Sequence, residues 1–192
     1  NGGTMEVGTE DFPYTSKITI TMHSSASDPY LPIYGNKVIG VRYGTLDMHG
    51  PVRTPSWTML ETTADVGSNT ITLQEEVDWQ VGEQIAVAST SFEAREAEQR
   101  TIIAVDSTKK ILTLDKPFEY KHFADTETYE SDTKGSETID MRAEVGLLSR
   151  NVVFRGDPET SGANEYGATI FLHSPGDDSL TARLSYIECT DV

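Results

Sequence analysis

Apolar and polar residues alternate along most of this chain in short segments, and a period of two is typical of β-strands. The pattern is clearest from Gly35 to Trp57, where the segments KVIGV, TLDMH and SWTML are separated by glycines. Glycine permits the tight turns that join short strands, with little room for a helix between them. Further alternating segments predict strands at 4–7, 17–21, 70–73, 84–88, 100–105, 111–114, 141–148, 151–155, 168–173 and 181–189.

These segments predict an all-β fold, and the remaining stretches are expected to be loops. Only Ser91–Glu98, SFEAREAE, has helix-forming composition, and it is too short to predict a helix. The polar, acidic stretch from His122 to Asp140 lacks periodicity, which predicts an exposed, mobile loop. Strands at 151–155, 169–173 and 183–187 recur at nearly even intervals. Such spacing is typical of a parallel β-solenoid and also of a β-sandwich, so it does not distinguish them.

The composition fits a folded protein with one substantial core. The chain has 192 residues, of which 36% are hydrophobic and 24% charged. Its formal net charge of −16 argues against nucleic acid or an anionic lipid surface as a partner. No apolar run is long enough to span a membrane, no signal peptide is recognised, and both ends are expected to be cuts through a longer protein. The single cysteine, Cys189, is predicted to be a buried thiol, the alternative being a pairing outside this segment.

Several motifs, in order along nearly the whole chain, give it a family resemblance. They include GGTMEVG at 2–8, LPIYG at 31–35, GTLDMHG at 44–50, WQVGE at 79–83, AST at 88–90 and RAEVG at 142–146. With these motifs the chain resembles the extracellular eight-glycine domain and the β-helix that follows it in fibrocystin-like proteins. The glycines assigned a structural role by this resemblance are Gly3, Gly8, Gly35, Gly40, Gly44, Gly50, Gly67 and Gly82.

The resemblance implies a β-rich domain continuous with a right-handed parallel β-helix, divided into an eight-glycine domain at 1–150 and the start of the β-helix at 151–192. It implies the ectodomain of a large secreted or membrane-anchored glycoprotein at the cell surface or on cilia. Its partners would be extracellular or surface-coat proteins or glycans. The expected role is non-catalytic, structural and interactive. Because some relatives bind or depolymerise hyaluronan, with calcium important for one, a hyaluronan-binding or hyaluronidase-like module with a Ca²⁺ cofactor is the alternative.

The first candidate site lies in the glycine-rich stretch. Asp47 and His49 are two positions apart on one predicted strand and therefore share a face. Together with Arg53 they can bind a sugar or move a proton, and Glu83 is a fourth catalytic candidate. We favour the alternative interpretation, an exposed polar strand face with ordinary hydrogen bonds.

Glycoside hydrolysis usually requires two carboxylates at a set separation. Relatives often carry an acidic residue directly after the Ser-Thr pair, whereas Ser91 stands there in this chain, and this departure weakens the enzymatic interpretation. Spacing does not show which carboxylates converge, and most are expected to be solvated. Those available near this loop are Asp78, Glu83, Glu93, Glu96 and Glu98.

Carbohydrate binding has three candidates, and metal binding has none that the pattern supports. His173 ends a strand where hyaluronan-active relatives tend to have a histidine. Trp57 and Trp79 can stack on a sugar, but a tryptophan in an alternating strand is more often part of the core. The stretch with Asp125, Glu127, Glu130 and Asp132 does not match a calcium-binding loop, and no metal site is predicted.

Overall fold

The computed structural model describes residues 2–174 and 176–192. Within them the chain is nearly all-β, which confirms the predicted fold class. It forms two compact units, one made of Asn1–Val52 with Arg150–Val192 and the other of Arg53–Ser149. No helix in the described part of the chain has the length and hydropathy of a membrane span.

Sixteen strands, one 3₁₀ turn at Ala94–Glu96 and one short helix, α1 at Ser161–Asn164, make up the regular structure of the described residues. The strands, in chain order, are β1 Gly3–Val7, β2 Ile18–Met22, β3 Val38–Val41, β4 Gly44–His49, β5 Trp57–Met59, β6 Thr70–Thr72, β7 Gln84–Val87, β8 Glu98–Val105, β9 Ile111–Leu114, β10 Thr126–Ser131, β11 Gly135–Asp140, β12 Glu144–Leu147, β13 Val152–Gly156, β14 Thr169–Leu172, β15 Leu180–Ser185 and β16 Ile187–Thr190.

The first unit is built from three parallel sheets that the chain visits in turn. The first sheet has the order β1-β4-β15, the second β16-β13-β2, and the third β14-β3. The chain first places one strand on each sheet, in the order β1, β2, β3. It then adds a second strand to each, in the order β4, β13, β14, and a third strand to the first two sheets, β15 and β16. Parallel pairing in this repeating order is how successive turns stack in a parallel β-helix.

The core of the first unit follows from alternation along β4. Leu46 and Met48 are fully buried and pack with Val7 and Val152. Because successive side chains on a strand point to opposite faces, Asp47 and His49 face the opposite side of the sheet.

Two glycines of the first unit are required by close approach of stacked turns. A Cβ atom added at Gly44 would lie 2.3 Å from the carbonyl oxygen of Gly3, and one at Gly50 would lie 2.3 Å from the carbonyl oxygen of Tyr186. Both neighbours are backbone atoms on adjacent turns, which cannot move aside without disturbing the stack.

The second unit contains a six-stranded antiparallel sheet in the order β5-β12-β7-β8-β9-β6. The hairpin predicted over residues 106–110 is confirmed as β8 and β9. One face of the sheet covers a hydrophobic core. Its fully buried members include Leu60, Leu73, Ile85, Val87, Ile102, Leu112, Leu114 and Val145.

Several predicted segments differ in the structure. The stretch 122–140 contains the antiparallel hairpin β10–β11, whose residues are all exposed, so alternation left no apolar face to detect. The predicted strand at 181–189 is two strands on different sheets, separated by Tyr186, whose φ of 52° turns the chain between them. Cys189 is exposed rather than buried, because β16 lies at the edge of its sheet and β13 covers it from one side only.

The two compact units have other bounds than the predicted domains, whose division stays a prediction. One boundary, between Ser149 and Arg150, lies next to the predicted boundary at residue 150. The other boundary, after Val52, was not predicted. It exists because the second unit is inserted into the first between β4 and β13. Residues 1–150 therefore do not form one compact unit by themselves.

Candidate functional site

Asp47 and His49 share a face of β4, as predicted, but this face is not exposed. Each residue is only 4% exposed. The reason is the position of β4 at the centre of its sheet, between β1 and β15. In the parallel register Asp47 lies opposite Arg183 and His49 lies opposite Ser185, and these two partners on β15 cover them.

Asp47 accepts hydrogen bonds from the side chains of His49 and Arg183. Its Oδ1 atom lies 2.6 Å from Nε2 of His49, and Arg183 donates to both carboxylate oxygens through Nε and Nη2 at 2.5 to 3.2 Å. The bond from Arg183 is the main cause that lowers the pKa of Asp47 to about 2; burial opposes this shift, and the bond from His49 supports it. Asp47 is therefore ionised at neutral pH.

The other nitrogen of the His49 ring faces a hydroxyl group. Nδ1 of His49 lies 2.7 Å from Oγ of Ser185. Because ionised Asp47 can only accept, the hydrogen-bond network assigns the proton of a neutral imidazole to Nε2. Nδ1 then accepts the hydrogen bond from the Ser185 hydroxyl. The three side chains form a continuous carboxylate, imidazole and hydroxyl chain.

A cleft of about 450 Å³ opens beside this chain of side chains. Residues from the β1–β2 loop, from the end of β4 and from β15 surround it, so it lies wholly within the first unit. Its lining consists of Glu10, Pro13, His49, Gly50, Val52, Arg183, Leu184, Ser185 and Tyr186.

Arg53, the predicted third member of the site, belongs to the second unit and has other partners. Its Nη1 and Nη2 atoms donate to the two carboxylate oxygens of Glu83 at 2.7 and 2.8 Å, and its Nε donates to Asp78 at 3.1 Å. Glu83 also accepts the backbone N–H of Gln80 at 2.8 Å. The arginine beside Asp47 is Arg183, which was not predicted from the sequence.

A second buried charge cluster, in the second unit, was also not predicted. Glu98 had been expected to be solvated, but it is buried together with His122. Its carboxylate accepts from Arg100, from Nε2 of His122 at 3.0 Å and from the backbone N–H groups of Glu119 and Tyr120, each at 3.0 Å. Burial raises the pKa of Glu98, but these bonds outweigh it, so that the net shift is downward.

The predicted carbohydrate-binding residues lie in different settings. Trp79 is 3% exposed and its Nε1 donates to the carbonyl oxygen of Pro55 at 2.7 Å, as expected of a core residue. Trp57 is 53% exposed, contrary to the expectation of a core position, because on edge strand β5 it is the neighbouring Thr58 that faces inward. His173 lies beside Tyr34, with Nδ1 3.3 Å from the phenol oxygen. Its role in carbohydrate binding stays a prediction.

The described residues contain no group of three or more acidic, histidine or cysteine side chains arranged to hold a metal ion. The acidic residues Glu127, Glu130 and Asp132 lie on or beside the exposed hairpin β10–β11. No cofactor is expected from the sequence, and calcium belongs only to the hyaluronan alternative, which rests on the family resemblance.

Comparison with known protein families identifies the class to which the first part of the chain belongs. Residues 1–61 match the G8 domain family. Residues 1–61 are therefore a G8 domain, as the eight-glycine resemblance predicted, and over nearly its whole length the chain is similar to fibrocystin-L.

The relatives are much longer than this chain. It is 35% identical to mouse fibrocystin-L and 32% identical to human fibrocystin-L, each over 98% of this chain and 5% of the relative. It is 31% identical to mouse fibrocystin over 82% of this chain and 4% of that protein.

Among solved structures, the chain is similar to the tailspike gp61 of Pseudomonas phage phi297. The TM-score is 0.39 and the identity 11%, over 97% of this chain and 25% of the tailspike.

Proposed function

We propose that this chain is a structural and interaction module in the extracellular part of a fibrocystin-like protein, and that it does not cleave glycans. Two features support the structural role. Its first unit is a stack of parallel strands with backbone packed against backbone at Gly44 and Gly50. Its similarity to fibrocystin-L spans 98% of the chain.

The state of the carboxylates carries the proposal. A glycosidase needs one carboxylic acid that stays protonated near neutral pH, which requires a raised pKa. In this chain the pKa of Asp47 is lowered to about 2 and that of Glu98 is also lowered. Glu83 is held by both terminal nitrogens of Arg53. These side chains serve as hydrogen-bond acceptors that join strands and loops.

Sized hyaluronan tests this proposal against its alternative, a hyaluronan-binding or hyaluronan-depolymerising module. The purified chain is incubated with polymer of defined length, with and without calcium, and the products are separated on a gel. We expect the polymer length to stay unchanged under both conditions, and shortening would contradict the proposal. Retention of hyaluronan without shortening would favour the binding alternative. If hyaluronan is neither bound nor cleaved, that alternative is excluded.

The extracellular location has a separate test. An antibody against this segment is applied to intact cells and to permeabilised cells that express the whole parent protein. We expect equal labelling of both, because the segment would be outside the membrane. Labelling that requires permeabilisation would contradict the extracellular assignment and leave the glycan result unaffected.

A further inference from the structure

We propose that Ser185 is a nucleophile activated by His49, and that the cleft beside them accepts a small carboxylic ester. This proposal goes beyond the proposed function, which assigns no reaction to the first unit. It also differs in chemistry from glycan cleavage, because the reacting group is a hydroxyl and not a pair of carboxylates.

The arrangement has the three parts that activate a serine. Asp47 orients His49 through a 2.6 Å hydrogen bond, and His49 accepts from Ser185 across 2.7 Å. A hydroxyl, a base within hydrogen-bond reach and a third group that orients the base are the features by which activated nucleophiles are recognised, irrespective of fold. Adjacent parallel strands fix this geometry, since His49 and Ser185 are register partners.

The protonation pattern suits proton transfer from Ser185. The carboxylate of Asp47, with its pKa lowered to about 2, holds a proton on Nε2 of His49. The lone pair of Nδ1 therefore points to the serine hydroxyl. As the proton moves from Ser185 to Nδ1, the ring becomes a cation, which the adjacent carboxylate stabilises.

The cleft gives a substrate access to this hydroxyl. His49 and Ser185 both line it, and its volume of about 450 Å³ is that of a small-molecule site. Arg183 lines it too, with a side chain that is 55% exposed. Because Nε and Nη2 bind Asp47, Nη1 of Arg183 has no acceptor among the described residues and can stabilise a developing oxyanion.

The reaction is then ordinary acyl transfer. Ser185 Oγ attacks the ester carbonyl carbon while its proton passes to Nδ1 of His49. The new Oγ–C bond forms, the ester C–O bond breaks, and the leaving alkoxide takes the proton from His49. Water then attacks the acyl-serine with His49 again as base, which releases the carboxylic acid and restores Ser185.

An alkyl fluorophosphonate probes the nucleophile directly. Attack by Ser185 forms an O–P bond and breaks the P–F bond, releasing fluoride, and the proton passes to His49. The whole chain is incubated with the probe, and the adduct is located by peptide mass mapping. We expect it on Ser185. Ser179 is the internal control, because the hydroxyl of this exposed serine is hydrogen-bonded to Asp177 and not to an imidazole.

Two variants test the roles of the residues. Ser185→Ala should abolish labelling, and His49→Asn should slow it on the order of 100-fold, the contribution typical of a general base. Circular dichroism and thermal unfolding establish that each variant is folded. If a variant does not fold, the labelling rates of Ser185 and Ser179 are compared in the native and in the urea-unfolded wild-type chain. Ser185 should react faster than Ser179 in the native chain only, since activation by His49 requires the native structure.

The outcomes that overturn the proposal are specific. One is the absence of a Ser185 adduct under conditions that fully label a known serine esterase. Another is equal labelling of Ser185 and Ser179. A third is an unchanged labelling rate in folded His49→Asn, which would mean that the hydrogen bonds only join the two strands.

Discussion

Asp47 and Arg183 lie opposite each other on adjacent parallel strands and form an ion pair, although 136 positions separate them in the chain. The pair links β4 and β15, the second and third strands that the chain contributes to one sheet. It therefore couples the charge state of a single carboxylate to the stacking of two turns.

Replacing Arg183 by alanine should change how stability depends on pH. The pKa of Asp47 is about 2 in the folded chain, mainly because of Arg183, and about 3.9 when the chain is unfolded. The stabilisation is therefore complete above about pH 4 and is lost as the pH falls toward 2. Without Arg183 the free energy of unfolding should be lower at pH 7 and should fall less steeply in this range.

Urea unfolding between pH 7 and pH 2 measures this difference. Lys17→Ala is the matched control, because it removes one positive charge from an exposed position in the same unit. Its pH profile should parallel that of the wild-type chain. Parallel profiles for wild type and Arg183→Ala would show that the ion pair does not set the pKa of Asp47.

Gly44→Ala should destabilise the first unit by about 1 to 3 kcal/mol, the usual cost of forcing atoms into a packed site. The added Cβ would lie 2.3 Å from the backbone oxygen of Gly3, which the parallel pairing holds in place. Gly3→Ala is the control, because a Cβ there meets nothing within 4 Å. Thermal unfolding should show a lowered midpoint for Gly44→Ala alone, and equal midpoints would refute the close approach of the two turns.

Glu98→Gln should destabilise the second unit by about 3 kcal/mol, because it leaves Arg100 and His122 without their shared carboxylate. The pKa of Glu98 is lowered in the folded chain, so its contribution is complete above the unfolded pKa of about 4.3 and is lost at lower pH. The difference between variant and wild type should therefore shrink on acidification.

Glu119→Gln provides the comparison for this cluster. Glu119 is exposed and contributes only its backbone N–H to Glu98, so the substitution should change the free energy of unfolding by less than about 0.5 kcal/mol. Guanidinium unfolding at pH 7 measures both variants. Equal effects of the two substitutions would contradict a specific role for Glu98.

The two tryptophans should respond differently to alanine substitution. Trp79→Ala removes a buried ring and the hydrogen bond to Pro55, at a cost of about 3 to 5 kcal/mol. Trp57→Ala should cost about 1 kcal/mol or less, because half of that side chain is in solvent. Chemical unfolding compares the two. The Trp57→Ala variant retains only Trp79, and its fluorescence emission maximum should lie at a shorter wavelength than that of the Trp79→Ala variant.

Alternation of apolar and polar residues was sufficient to predict most strands, because it is a local property of the chain. It predicted the paired strands β8 and β9 and placed Asp47 and His49 on one face. The same rule failed at β10 and β11, which have no buried face. There the signal was the turn before Gly135, whose φ of 76° favours glycine.

The partners of the site could not be predicted from the sequence. Arg183 and Ser185 reach Asp47 and His49 only through the register of β15 on β4, and parallel register leaves no trace in the spacing of residues. The role of His122 could not be predicted for a related reason, because its partner Glu98 lies 24 positions away, on β8. Arg53, by contrast, was predicted to join the site because it is close in sequence, yet it pairs with Glu83 instead.

The interruption of the coil between β4 and β13 has a consequence for the order of folding. Closing an unfolded loop as long as the second unit would cost roughly 4 kcal/mol of chain entropy, apart from a constant. Once that unit is folded, its first and last strands pair through Trp57 and Gly146, so its two ends lie side by side. The interrupted turn then needs to close only a short gap. The inserted unit should therefore fold first, which lowers the entropic cost of bringing β4 and β13 into one folded unit.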